Sequence, residues 1–102
     1  MITINYNNVE YSYDETLTIL PFLHISVDSD MGDDGKRYQY TAIEKVIQMS
    51  PADLAQAQDD MSYYDNGANH HVIAITQKNI DELLACNDLS GLDKLTNWIK
   101  EL

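Results

Sequence analysis

Four carboxylates fall within seven residues, at Asp28, Asp30, Asp33 and Asp34, with Gly32 and Gly35 among them. Aspartates interleaved with glycine invite comparison with a calcium loop, since Ca2+ takes roughly six to eight oxygen ligands from a fixed spacing. The EF-hand pattern places acids at positions one, three and five, glycine at six and a bidentate Glu at twelve. Counted from Asp28, position five is Gly32, six is Asp33 and twelve is Gln39. Counted from Asp30, position three is Gly32, five and six are Asp34 and Gly35, and twelve is Thr41. Neither register supplies the ligand set, and no helix is expected on either side. The stretch reads instead as a solvated hairpin tip whose carboxylates can meet Lys or Arg on a partner.

The remaining reactive side chains form no catalytic or metal pattern. His24, His70, His71 and Cys86 lack the Cys-x-x-Cys or His-x-x-x-His spacing that pre-orients zinc ligands. On a strand, adjacent His70 and His71 point to opposite faces and cannot share an ion. Cys86 follows Leu83, Leu84 and Ala85 at the end of an expected helix, where a small buried hydrophobe is the natural role. Ser62 and Ser90 lie in no nucleophile elbow, and the four glycines, at 32, 35, 67 and 91, make no phosphate loop. No carboxylate pair sits in an apolar setting that would raise a pKa for acid catalysis. The reading is a non-enzymatic chain with no catalytic residue, no cofactor and no metal. Trp98 falls off the main stripe of the last helix, as a core flank or an exposed contact.

A second acidic stretch runs Asp59-Asp60-Met61-Ser62-Tyr63-Tyr64-Asp65. Tyrosine concentrates at interface hot spots because it brings contact area and a polar tip at low entropic cost. The candidate partner-binding set is therefore Asp28, Asp30, Asp33, Asp34, Asp59, Asp60, Tyr63, Tyr64 and Asp65. The competing reading has Tyr63 and Tyr64 cover a helix end and pack on the sheet.

Acids outnumber bases 17 to 6, for a formal charge of -11. No base precedes Lys36, and none lies between Lys45 and Lys78. Such a surface repels nucleic acid and anionic membranes and attracts a basic protein surface. Acidity also keeps a small protein soluble, which needs no partner. The single cysteine forbids an intrachain disulfide and fits a reducing cytosol. The N-terminal residues show no signal-peptide pattern, and no apolar run nears the ~20 residues needed to span a bilayer. The expectation is one cytoplasmic domain over residues 1–102.

The elements that carry these residues follow from periodicity. Ile2, Ile4 and Tyr6, then Val9, Tyr11 and Tyr13, alternate with polar residues around Asn7-Asn8 and predict a hairpin over residues 2–13. Leu17 to Val27 reads as a strand disturbed by Pro21. It leads through Asp28 to Lys36, the tip of a second hairpin, into a strand from Tyr38. Over residues 41–49, Ile43, Val46 and Ile47 fit a short helix while the β-branched content fits a bulged strand, and the balance favours strand. Ser50-Pro51-Ala52-Asp53 opens a helix to about Asp60, with Leu54, Ala57, Gln58 and Met61 inward. His71 to Thr76 reads as a central strand buried on both faces. Thr76 or Asn79 caps a helix with Ile80, Leu83 and Leu84 inward. Ser90-Gly91-Leu92-Asp93 reads as a capping box before a last helix bearing Leu92, Leu95, Ile99 and Leu102. The expected fold is α+β. It has a largely antiparallel sheet of about five strands, with one middle and two C-terminal helices on one face.

Together these features favour a protein inhibitor that engages a basic, nucleic-acid-handling target, with nucleic-acid mimicry as one means. An anti-defence protein of the anti-CRISPR kind and an immunity protein for a nuclease toxin both fit. A phage or bacterial structural or assembly accessory protein is the alternative, with a calcium-binding module behind it.

Overall fold

The computed structural model describes residues 1–62 and 69–102. β1 (Ile2–Tyr6) and β2 (Val9–Tyr13) form the expected antiparallel hairpin. Asn7 and Asn8 join them at φ of 52° and 65°. That left-handed pair is what a two-residue turn between right-twisted strands requires. Ile2, Ile4, Tyr6, Tyr11 and Tyr13 turn to the core, while Thr3, Asn5, Glu10 and Ser12 face solvent.

β3 (Leu20–Met31) and β4 (Arg37–Met49) pair antiparallel along their whole length. Glu44 bulges out of β4, since His24 pairs with Lys45 but Ile25 with Ile43. β5 (Asn69–Ala74) pairs with β3 from Phe22 to Val27, and β6 (Leu89–Ser90) runs parallel to β4 at Thr41 and Ala42. The order is β5-β3-β4-β6, and the β1–β2 hairpin is a separate sheet. The fold is α+β as expected, with six strands in two sheets among the described residues.

Strand alternation splits β3 between two faces. Leu23 and Ile25 join Ile43 in the main core, and Phe22 and His24 are buried on the opposite face. α2 (Gln77–Leu84) adds Ile80 and Leu83 to that core, and α3 (Leu92–Lys100) adds Leu95 and Ile99. The hairpin closes over them. Its Tyr6 hydroxyl bonds Thr96 Oγ1 at 2.6 Å, and its Tyr13 hydroxyl donates to the Ile75 carbonyl at 2.6 Å. The Tyr13 ring meets Trp98 edge-on, centroids 5.8 Å apart, so Trp98 is a core flank. Burial, then the Glu15 charge, pushes the Tyr13 phenol pKa up.

Several elements differ from expectation. Leu17 and Ile19 precede β3 and are exposed, and Pro21 sits beyond the last β5 pair, where only β4 flanks the strand. β5 is an edge strand, not a central one. Its apolar run serves both faces, Val72 on the side of His24 and Ile73 on the main core, and Ile75 is buried just past its end. Leu84 and Leu102 are exposed. Ser50 and Thr76 cap as predicted, but Ser90 belongs to β6. The α3 N-cap is Gly91, with φ of 76° and no capping side chain. The chain turns there in one residue against β4, and a Cβ would run into the Ile43 carbonyl oxygen.

α1 (Leu54–Ser62) follows a 3-10 turn at Pro51–Asp53 and lies against β5, apart from the main core. Leu54, Ala57, Gln58 and Met61 are its partly buried stripe, as predicted. Gln58 acts as a substitute strand. Its Nε2 donates to the His70 carbonyl at 2.7 Å, and its Oε1 accepts from the Val72 amide at 2.9 Å. Gln77 does the same for β1, accepting from the Asn5 amide at 2.7 Å and donating to its carbonyl at 3.3 Å. Each glutamine satisfies edge groups that would otherwise template aggregation.

β3 and β5 also share a histidine pair. His24 Nε2 and His70 Nδ1 lie 2.9 Å apart, so one ring donates and the other accepts. His24 Nδ1 and His70 Nε2 are buried without a partner among the described residues. Burial first, then the His70 charge, lowers the His24 pKa, with Lys45 adding and Glu44 opposing.

Three outcomes follow from this packing. Gly91→Ala should cost more than about 3 kcal/mol, since it adds a backbone clash to an unfavourable φ. Gly35→Ala, at φ 79° in open space, should cost only about 1 kcal/mol. Chemical denaturation reads both. Gln58→Ala should lower stability by about 1–3 kcal/mol, because two part-buried backbone groups lose their partner. Exchange of the Val72 amide should rise with it. Acid should weaken the His24–His70 contact. The folded His24 pKa lies below the unfolded value of 6.5. The unfolded chain therefore binds more protons in that window, and stability is full above pH ~6.5 and falls below it. Asp14, Glu15 and Asp34, whose carboxyls are held low, add losses only below pH ~4. The urea midpoint should drop between pH 7 and 5.5 in the wild type and stay level in His24→Leu/His70→Leu.

Candidate functional site

β5 leaves β3 at Val27, and β6 reaches β4 only at Thr41 and Ala42. Residues 28–31 and 37–40 therefore continue as a two-stranded arm, all of them exposed. Asp28 and Asp30 belong to β3, so the turn itself is narrower than the sequence suggested and holds only Asp33 and Asp34. Asp28 pairs with Tyr40 and Asp30 with Tyr38. Directly opposite residues share a face, so two aspartates and two tyrosines stand together. Ser29, Gln39, Met31 and Arg37 occupy the other face, where Arg37 Nη1 donates to Ser29 Oγ at 3.1 Å.

The tip is ordered by its own side chains. Gly32 N–H donates to the Lys36 carbonyl at 2.8 Å, and Gly35 N–H to the Gly32 carbonyl at 3.0 Å. The Tyr38 ring lies over Gly32, where any Cβ would collide with it. Its hydroxyl donates to Asp34 Oδ2, while the Lys36 amide donates to Asp34 Oδ1 at 2.9 Å. These two bonds, the Tyr38 bond foremost, hold the Asp34 carboxyl below the ordinary range, and the same bond raises the Tyr38 phenol. Tyr38 thereby ties Asp34 to the face that carries Asp28 and Asp30. Asp33 is exposed in the turn.

Asp28 and Asp30 also serve the fold. Asp28 Oδ1 accepts from the Ser29 amide and Asp30 Oδ1 from the Met31 amide, both at 2.8 Å. Among the described residues each carboxylate keeps its second oxygen available, so edge closure and partner binding are compatible. Asp59 and Asp60 are exposed on α1, a different element, and Asp60 Oδ1 accepts from Gln56 Nε2 at 2.9 Å. Tyr63, Tyr64 and Asp65 lie outside the described residues.

Sequence reasoning missed Tyr38 and Tyr40 as members of the face. Pairing Asp28 with Tyr40 across a tight hairpin would have found them, since the two runs alternate in step. It also missed His24–His70, which needs the β3–β5 register. Cys86 is half-buried, with Sγ 3.5 Å from the Glu82 carbonyl. Among the described residues no three His, Cys, Asp or Glu side chains converge on a metal position. None of the described helices is long and apolar enough to cross a membrane.

The arm offers carboxylates flanked by tyrosine rings, a chemistry suited to cations. A guanidinium can bond the carboxylate and stack on the ring. No protein-family model, curated protein or solved structure matches this chain.

Proposed function

We propose that this chain is a small acidic inhibitor that binds a basic surface of a nucleic-acid-handling protein and blocks it. The observation that carries the reading is the arm face on which Asp28, Asp30 and Asp34 stand with Tyr38 and Tyr40. A net charge of -11 steers such a face toward Lys and Arg. Target classes of matching chemistry are a bacterial defence complex, as for an anti-CRISPR protein, and a nuclease toxin, as for an immunity protein.

Charge spacing favours one of two ways of binding. Duplex DNA carries one charge per ~1.7 Å of axis. Asp28 and Asp30, two residues apart on a strand, are about 6.8 Å apart along it. The arm is therefore several-fold sparser than a duplex. Discrete Asp–Arg and Asp–Lys contacts account for it better than wholesale imitation of the nucleic acid.

A second reading rests on a different feature. Leu17, Ile19, Pro21, Trp98 and Leu102 line an apolar cleft of about 180 Å3 between the β2–β3 connection and α3. An assembly or accessory protein would use that cleft, and its association would tolerate salt.

The test is a titration against the target recovered by pull-down from a host lysate. Asp28→Asn/Asp30→Asn should weaken binding about 10- to 1,000-fold, the range for losing two desolvated charge contacts. The dependence of affinity on salt should flatten with it. Full affinity with an unchanged salt slope would remove the arm from the interface. Loss of binding through Leu17→Ser instead would favour the apolar cleft.

A further inference from the structure

We infer that the outer edge of β4, from Arg37 to Tyr40, receives an extended basic segment of a partner protein as an added strand. Main-chain direction carries the argument. The Thr41 amide donates away from β3, to the Asp88 carbonyl at 3.2 Å, while the Lys36 carbonyl accepts on the β3 side, from Gly32 at 2.8 Å. Backbone polar groups alternate sides along a strand. Arg37 and Gln39 therefore turn both N–H and C=O outward, in line with Thr41. β6 covers only Thr41 and Ala42, and no strand among the described residues pairs with residues 37–40 on that side.

A groove of about 330 Å3 lies along this edge, between Arg37, Gln39 and Thr41 on one wall and residues 85–88 on the other. The opposite flank of the sheet is partly covered by side chains. Gln58 bonds the His70 carbonyl and the Val72 amide of β5, and Asp28 and Asp30 take the Ser29 and Met31 amides beyond it. An open strand edge is a template for a further strand, with main-chain bonds giving affinity and alternate side chains giving specificity.

The charge of the partner follows from what lies beside the added strand. Its alternate side chains would stand next to Tyr38 and Tyr40, and Asp28 and Asp30 lie about two strand spacings away, ~10 Å. A Lys or Arg laid across a tyrosine ring turns its charged end toward a carboxylate. A second copy, also at -11, is the wrong complement. The sign of the partner's charge rests on the acidic-face reading above, whereas the edge itself does not.

The probe is an acetylated and amidated hexapeptide, Lys-Val-Arg-Val-Lys-Val, titrated into the uniformly 15N-labelled full chain. The Arg37 and Gln39 amides should shift downfield and exchange at least about 10-fold more slowly at saturation. An analogue N-methylated at every residue has no N–H on either edge and should do neither. Gln39→Pro removes an outward N–H, which an edge strand tolerates, and should abolish the effect. If that variant lowers Tm, the N-methylated peptide still decides the matter, because it leaves the protein unaltered. Asp28→Asn/Asp30→Asn should weaken the peptide several-fold while the protection of Arg37 and Gln39 at saturation persists. Unchanged affinity in that double variant would remove the basic character assigned to the partner. Shifts confined to the Asp28, Asp30 and Tyr38 signals, with Arg37 and Gln39 exchange unaltered, would overturn the edge and leave the acidic face standing. Equal binding by the N-methylated peptide, or no binding at millimolar peptide, would overturn it as well. Protection that grows with protein concentration alone would assign the edge to a second copy.

Discussion

The β3–β4 ladder is the constraint on which the rest of this molecule depends. Twelve consecutive residues of β3 each find a partner on β4. Its inner half carries Leu23, Ile25 and Ile43 into the core, and its outer half leaves the core altogether. The ladder therefore converts the hydrophobic stability of one end into rigidity at the other. An isolated two-stranded ribbon is marginal in water. This one is held because its strands are already fixed where β5, β6 and α3 pack on them. Register matters for the same reason. A slip of one residue would exchange the faces of Asp28 and Ser29 and break the acidic set apart. The Glu44 bulge lies within the core half of the ladder, between the His24–Lys45 and Ile25–Ile43 pairs, and every pair from there to the tip of the arm takes its register from it.

Small sheets must also dispose of their edges, and here single side chains do what whole strands do elsewhere. Gln58 and Gln77 present a carboxamide with the donor and acceptor of a peptide group, and each engages both an amide and a carbonyl. Asp28 and Asp30 close their own following amides. This explains why β5, though apolar enough to be read as a central strand, is stable at an edge. It also means that the acids of the arm have a structural task independent of any partner, so their presence alone does not establish binding. The argument for binding lies in Tyr40, opposite Asp28, since Tyr38 also orders the tip by covering Gly32 and bonding Asp34.

Much of the architecture was legible in sequence because local signals agreed with tertiary ones. The Asn7-Asn8 turn, the Ser50 and Thr76 caps and the Leu95/Ile99 stripe each follow from a short-range rule that the packed structure had no reason to override. The failures are non-local. β6 has two residues and exists only because β4 lies beside it. Ser90 has the look of a cap, but the space beside Ile43 admits only Gly91 at the turn. The edge position of β5 could not be read from its composition, since Gln58 stands in for its missing neighbour. The acids of the candidate site were found by composition. Their partners Tyr38 and Tyr40 needed the cross-strand register, and His24–His70 needed a contact 46 residues apart.

Charge and topology bear on one another. A chain at -11 repels itself when compact, and the penalty is least where carboxylates stand in water, away from low-dielectric surroundings. Asp28, Asp30, Asp33 and Asp34 lie on a projection beyond the core, with water on both faces. Acidity that would destabilise a compact surface is tolerable there, and its field is directed away from the core. The same placement leaves those charges hydrated, so they contribute little until something dry covers them. The tyrosines supply that missing half. Two rings beside the carboxylates give an arriving guanidinium a low-dielectric wall, and only in that setting does an Asp–Arg contact become strong. Substituting the Tyr40 ring, with every charge and the Tyr38–Asp34 bond kept, therefore separates a binding face from a merely solubilising one.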